Sequence, residues 1–245
     1  VEMTTAAVES LFDGEKIGLN GGIDFVAISF SSHDFVGHRH GANAEIMKTM
    51  TLAEDASIAK IRKMIDKKIP GGLKNTLFVL TGDHGVAPSP RYLKDTGILS
   101  GTINEESIAE KLEAQIIKSC GNPKEGKWIE AVVDFNFFIN EKIITNSKCS
   151  LSSIQTEIKN SLLKDDRFVQ VFTQDDYENK KLPPGQFARQ IEKTFFRGRS
   201  GHVVGIQKPF YINHSRNEAS HMTGYTYDRM VPIIFSGFGI KPGLY

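Results

Sequence analysis

Apolar positions along the chain form two patterns, one helical and one continuous. Residues 4–16 carry helix formers with one apolar face, and Gly18, Gly21 and Gly22 then break the pattern. The next run, DFVAISF at residues 24–30, is apolar almost throughout and predicts a buried strand. Over residues 42–67, Ile58, Ile61 and Ile65 recur at helical spacing, until Pro70, Gly71 and Gly72 stop the helix. TLFVL, residues 76–80, predicts a second buried strand. Strand, long helix and strand make a crossover unit, so the two runs are expected to be parallel neighbours.

Beyond Pro88 and Pro90 the pattern changes. An amphipathic helix is expected at residues 108–117, one or two strands within 128–144, a helix at 151–163 and a short strand at 168–172. These strands are less uniformly apolar than the first two, as suits a layer with one face in water. Leu182, Pro183, Pro184 and Gly185 precede a short helix near 186–195, and residues 202–206 and 231–235 (VPIIF) read as later strands. The expected fold is therefore α/β, a mostly parallel sheet flanked by helices, with a small α+β insert. The division expected is 1–100 as core, 101–197 as insert and 198–245 as a return to the core.

A length of 245 residues suits one core with an insertion. Thirty basic against 29 acidic residues give a net charge of +1, which points away from nucleic acid and acidic membranes and towards a small-molecule partner. No apolar stretch approaches the roughly 20 residues that span a bilayer, and no signal segment is visible after Val1. Cys120 and Cys149 lie in no Cys-x-x-Cys pair, and spacing leaves a disulfide and two buried thiols both open.

Chemistry concentrates in two strings, SHDFVGHRHG at residues 32–41 and TGDHG at residues 81–85, each directly after a predicted strand. Asp34 and His38 are four apart, so one helical turn or a compact loop turns carboxylate and imidazole to one side. Asp83 and His84 are adjacent and would point to opposite faces of a regular strand, so they can act together only just past its end, where Gly82 and Gly85 free the backbone. Each string also has a plain structural use, as a helix cap or a turn closed by Asp. Their shared position after apolar strands favours a divalent-metal site, because open α/β sheets bind ligands at their carboxyl ends.

SSHDFVGHRHG, LTGDHG, GRSGHVVGIQKP at residues 198–209, and HMTGYTYDRMVPIIFSGFGIKPG at residues 221–243 together resemble the alkaline phosphatase superfamily. The likeness is to the branch holding type I phosphodiesterase/nucleotide pyrophosphatases and the bacterial alkaline phosphatases with a threonine nucleophile. The resemblance implies an alkaline phosphatase-like fold and a zinc-dependent phosphatase acting through two metals and a phosphoryl-enzyme. It assigns Asp34, His38 and His221 to one zinc, and Asp83 and His84 to the second. The nucleophile and a further Asp would precede Val1, making the chain the later part of a longer protein that is periplasmic or secreted by family habit.

Some residues depart from that pattern or stand outside it. Met222 replaces the usual glycine after the last ligand, which puts the loop's path in doubt, and His33 replaces the usual Pro or Thr. His33 and His40 read as supporting or exposed residues, His202 and His214 as surface or core ones. Tyr225, Tyr227 and Asp228 read as packing and a turn, and Arg197 and Arg199 as a solvated basic turn. A phosphodiesterase is the closest alternative activity. A metal-dependent phosphosugar mutase and an inactive metal-binding fragment are the others. Physiological substrate and oligomeric state are not encoded in any visible motif.

Overall fold

The computed structural model describes residues 1–145, 147–213 and 218–244. In chain order its elements are α1 (Glu2–Gly14), α2 (Ser32–His40), α3 (Glu45–Lys68), β1 (Leu77–Thr81), α4 (Pro90–Asp95), β2 (Gly101–Ile103), α5 (Glu105–Cys120), β3 (Ile129–Val133) and β4 (Asn136–Ile139). There follow α6 (Glu141–Ile144), α7 (Leu151–Leu162), β5 (Phe168–Thr173), α8 (Gln174–Glu178), α9 (Ala188–Thr194), β6 (Val203–Gln207), β7 (Tyr211–Asn213), α10 (Thr226–Arg229) and β8 (Ile233–Gly237). Contacts divide the chain into two compact units: residues 1–89, 218–219 and 229–244 in one, and 90–145, 147–213 and 220–228 in the other.

The first unit is held by helix packing. Val8 of α1 and Ile61 and Ile65 of α3 form its buried cluster, with Phe12, Phe30, Met64 and Phe78 packed against them. The turn before residues 24–30 is closed by the Asp24 carboxylate, which accepts from the Gly18 N–H and the Asn20 amide. Those bonds hold its carboxyl below the usual carboxylate range.

Here the apolar runs are not buried as predicted. Residues 24–30 join no ladder among the described residues, and Phe25 is 92% exposed. β1 pairs antiparallel with β8, Leu77 opposite Gly237 and Thr81 opposite Ile233, so the expected parallel neighbour is not its partner. Leu77, Val79, Ile233, Ile234 and Phe235 remain exposed. The reason is geometric: an apolar run encodes burial on both faces, but burial also needs strands and layers on both sides to supply it.

The second unit holds the larger core. A four-stranded sheet in the order β3-β4-β6-β5, antiparallel throughout, lies beside α5 and α7. Trp128, Phe135, Phe137, Ile116, Ile154 and Ile158 are almost fully buried in it. α5 begins at Asn104, whose side chain accepts from the Ser107 N–H, and α7 begins with a capping box between Ser150 and Ser153. β2 and β7 pair in parallel, a short sheet that the apolar pattern had not marked. β6 bonds to both β4 and β5, so the segment from residue 198 onward first runs inside this unit.

Cys120, at the end of α5, is disulfide-bonded to Cys149, just before α7, across a separation of 29 residues. The pair ties the two helices that cover the sheet. Among the described residues no helix is long and apolar enough to cross a membrane.

Candidate metal centre

Asp34 and His38 both project from α2, one turn apart. α2 ends at Gly41, whose φ of 85° few other residues adopt and whose Cβ, if it had one, would lie 3.1 Å from Ser89 Cβ. His38 Nε2 stands 3.3 Å from Asp34 Oδ2. The other ring nitrogen, Nδ1, is 2.8 Å from the Ala219 carbonyl oxygen. A carbonyl oxygen only accepts, so Nδ1 carries a proton, and Nε2 faces the carboxylate.

Asp83 and His84 lie just past the end of β1. A side chain at Gly82 would meet Val231, 3.2 Å away, so glycine lets the chain turn close against the β8 side. The Asp83 carboxylate accepts from the His84 N–H at 3.0 Å, closing the turn. His84 Nδ1 lies 3.0 Å from the Gly85 carbonyl oxygen, which again places a proton on Nδ1 and turns Nε2 outward. That Nε2 is 3.8 Å from Asp34 Oδ1 and 3.8 Å from Asp83 Oδ1.

The two sequence pairs therefore meet at one carboxylate. The Nε2 atoms of His38 and His84 face the Asp34 carboxylate, and that of His84 also faces Asp83, at 3.3–3.8 Å. Histidine nitrogens and carboxylate oxygens gathered in this way suit a divalent metal such as zinc. The backbone carbonyls behind each imidazole fix ring orientation as they do for metal-bound histidines. The donor set fits the metal.

His221 belongs to the second unit, on a braced loop. Buried Asp228 accepts through Oδ2 from the Thr223 N–H at 2.9 Å and the Thr223 hydroxyl at 2.6 Å. Gln190 donates to the Gly224 carbonyl, and Phe187 meets Tyr225 edge-on. Tyr225 donates its hydroxyl to the Gln207 carbonyl, while the Tyr227 hydroxyl accepts from the Phe210 N–H. Burial pushes both phenols above their ordinary range, so they stay protonated. Met222 takes a left-handed φ of 79°, so the backbone keeps a glycine-type turn although the residue is methionine. Asp228→Ala is expected to cost about 3 kcal/mol, since it strands the Thr223 N–H, with Asp228→Asn milder; urea unfolding measures both.

The other sequence candidates have separate partners. His202 accepts from the Ile139 N–H and faces Glu141, a strand-locking role in the second unit. Arg197 pairs with Glu178, and Arg199 lies over the Phe196 ring. His40 is exposed, and His214 lies outside the described residues. His33 bonds to Glu54 across 21 residues, and the Ala219 carbonyl reaches His38 across 181. No local spacing signals either contact.

Carboxylates and imidazoles gathered near the end of β1 make a candidate metal site in a mixed α/β chain, and the fold is alkaline phosphatase-like, matching solved structures of that kind. Residues 2–226 match the type I phosphodiesterase / nucleotide pyrophosphatase family, and the chain belongs to it. It is 26% identical over 242 residues to the alkaline phosphatase PafA of Elizabethkingia meningoseptica, covering 98% of this chain and 43% of that protein. It is 26% identical over 222 residues to a Myroides odoratus protein named a calcium-transporting ATPase, covering 90% and 39% respectively. The crystal structure of wild-type PafA superposes with a TM-score of 0.88 at 25% identity, over 99% of this chain and 45% of that one. The chain thus spans less than half the length of the relatives it matches.

Proposed function

We propose that this chain is the metal-binding part of a zinc-dependent phosphoric ester hydrolase, with phosphomonoesters as its substrates. The observation that carries the reading is the convergence of His38 Nε2 and His84 Nε2 on the Asp34 carboxylate, each ring oriented by a backbone carbonyl. Asp34, His38 and His221 hold one metal, and Asp83 and His84 contribute to the second.

The metals, when bound, hold phosphate oxygens and lower the pKa of the attacking hydroxyl. The residues of this chain set where that happens: α2 aims Asp34 and His38, the turn after β1 aims His84, and the Ala219 and Gly85 carbonyls orient the two rings. The attacking Thr or Ser and a further Asp lie upstream in the longer protein. A disulfide between Cys120 and Cys149 suits an oxidising compartment and supports a periplasmic or secreted location.

The family's name favours a second reading, diester hydrolysis. Turnover of a nitrophenyl phosphate by the full-length protein, compared with that of the bis-nitrophenyl diester, separates the two. A monoester preference supports the phosphatase, and a strong diester preference replaces it. About two zinc ions per chain are expected by elemental analysis; a metal-free, inactive protein would remove the reading altogether.

A further inference from the structure

Glu54 stands where the helix pattern calls for an apolar residue. With Ile58, Ile61 and Ile65 it occupies positions 4, 3 and 4 apart along α3, the stripe that packs inward. Its side chain is 14% exposed, and it bonds to His33, with Oε2 2.5 Å from Nδ1. Its second oxygen, Oε1, is buried and has no hydrogen-bond partner among the described residues. A carboxylate on an apolar stripe costs stability unless a charged or donating partner compensates it, so its presence calls for a reason.

That reason lies in what His33 adjoins. His33 precedes Asp34 in the first turn of α2, a helix whose N-cap, Ser31, makes no side-chain capping bond. We infer that Glu54 and His33 form a clamp that sets the rotation of α2 about its axis and so aims the Asp34 carboxylate. This inference rests on the reading of Asp34 as a metal ligand. α3 is the fixed partner, because Ile61 and Ile65 anchor it in the core of the first unit. The leverage is large: at a side-chain radius of about 5–6 Å, a turn of roughly 10° moves the carboxylate by about 1 Å. Metal–ligand distances tolerate only about 0.2 Å. Glu54 and His33 are thus positioning residues, acting on the metal through Asp34. The interhelical position of Gly37, whose Cβ would stand 3.5 Å from Met47, leaves α2 close enough to α3 for the clamp to close.

The test compares zinc affinity, by competition with a chromogenic chelator, in the full-length protein and its His33→Ala and Glu54→Leu variants. Loss of the clamp is expected to weaken zinc 10- to 100-fold, the range for groups that orient metal ligands. The d–d absorption of the cobalt-substituted protein should shift as well. His33→Asn, which keeps a donor near the Nδ1 position, and Glu54→Gln, which keeps an acceptor, should restore most of the affinity. Ile158→Ala, in the core of the second unit, serves as the control for stability, since it lowers the melting temperature without touching the clamp or its anchor. Affinity and spectrum unchanged in His33→Ala overturn the inference, as does an equal loss in Ile158→Ala. If Glu54→Leu does not fold, His33→Ala and His33→Asn decide the matter. Asp34→Ala separates the two layers: zinc retained there means that Asp34 is not a ligand, whereas zinc lost there and kept in His33→Ala refutes the clamp alone.

Discussion

Asp34→Ala is expected to strip metal from the protein and lower ester hydrolysis by about 10³-fold. Asp34 is the point of convergence: His38 Nε2 lies 3.3 Å from one carboxylate oxygen and His84 Nε2 3.8 Å from the other. Removing it deletes one ligand and a negative charge shared by both imidazoles. Metal-centred charge stabilisation contributes several kcal/mol, and each 1.4 kcal/mol or so is a factor of ten in rate. The fold should survive, because Asp34 is partly exposed and the core of its unit rests on Val8, Ile61 and Ile65. Zinc content by elemental analysis, read beside an unchanged circular dichroism spectrum, checks the result; retention of the full zinc complement would contradict it. Asp34→Asn should come close to the alanine variant, since it keeps the shape and loses the charge.

Reduction of the Cys120–Cys149 bond, or the Cys120→Ala/Cys149→Ala double variant, should destabilise the second unit by about 3 kcal/mol. A loop of 29 residues sets that scale through the entropy regained by the unfolded chain. Position adds to it. Cys120 is buried with Ile116 and Trp128 at the end of α5, and Cys149 leads into the Ser150 cap of α7. The bond therefore joins the two helices that cover the four-stranded sheet. A fall of about 10 °C in the melting temperature, seen by calorimetry with and without a reductant, is the expected reading. An unchanged melting temperature would show that helix packing alone holds α5 to α7.

Much of the secondary structure was legible because its cause is local. α3, α5 and α7 follow the 3.6-residue spacing of their isoleucines and leucines, and β1, β5 and β6 follow short apolar runs. The paired strands β3 and β4 also fall where the pattern placed them. Legibility stopped where formation depends on a partner. Residues 24–30 are as strand-like as any segment, yet join no ladder among the described residues, and β1 pairs with β8 instead of with a parallel neighbour. β2 and β7, three residues each, are too short to show a period at all.

The site divides along the same line. By itself the sequence determined which chemistry was at hand: the carboxylates and imidazoles of SHDFVGHRHG and TGDHG, their spacing, and the glycines that let them turn. It presented them as two pairs, Asp34 with His38 and Asp83 with His84. Only the tertiary structure decided that the pairs share the Asp34 carboxylate, that the carbonyl of Ala219 sets the tautomer of His38, and that Glu54 holds His33. These contacts join residues 21 to 181 positions apart. Spacing reaches only as far as one turn or one strand repeat, whereas a cation site depends on distances of a few ångströms that packing alone brings about.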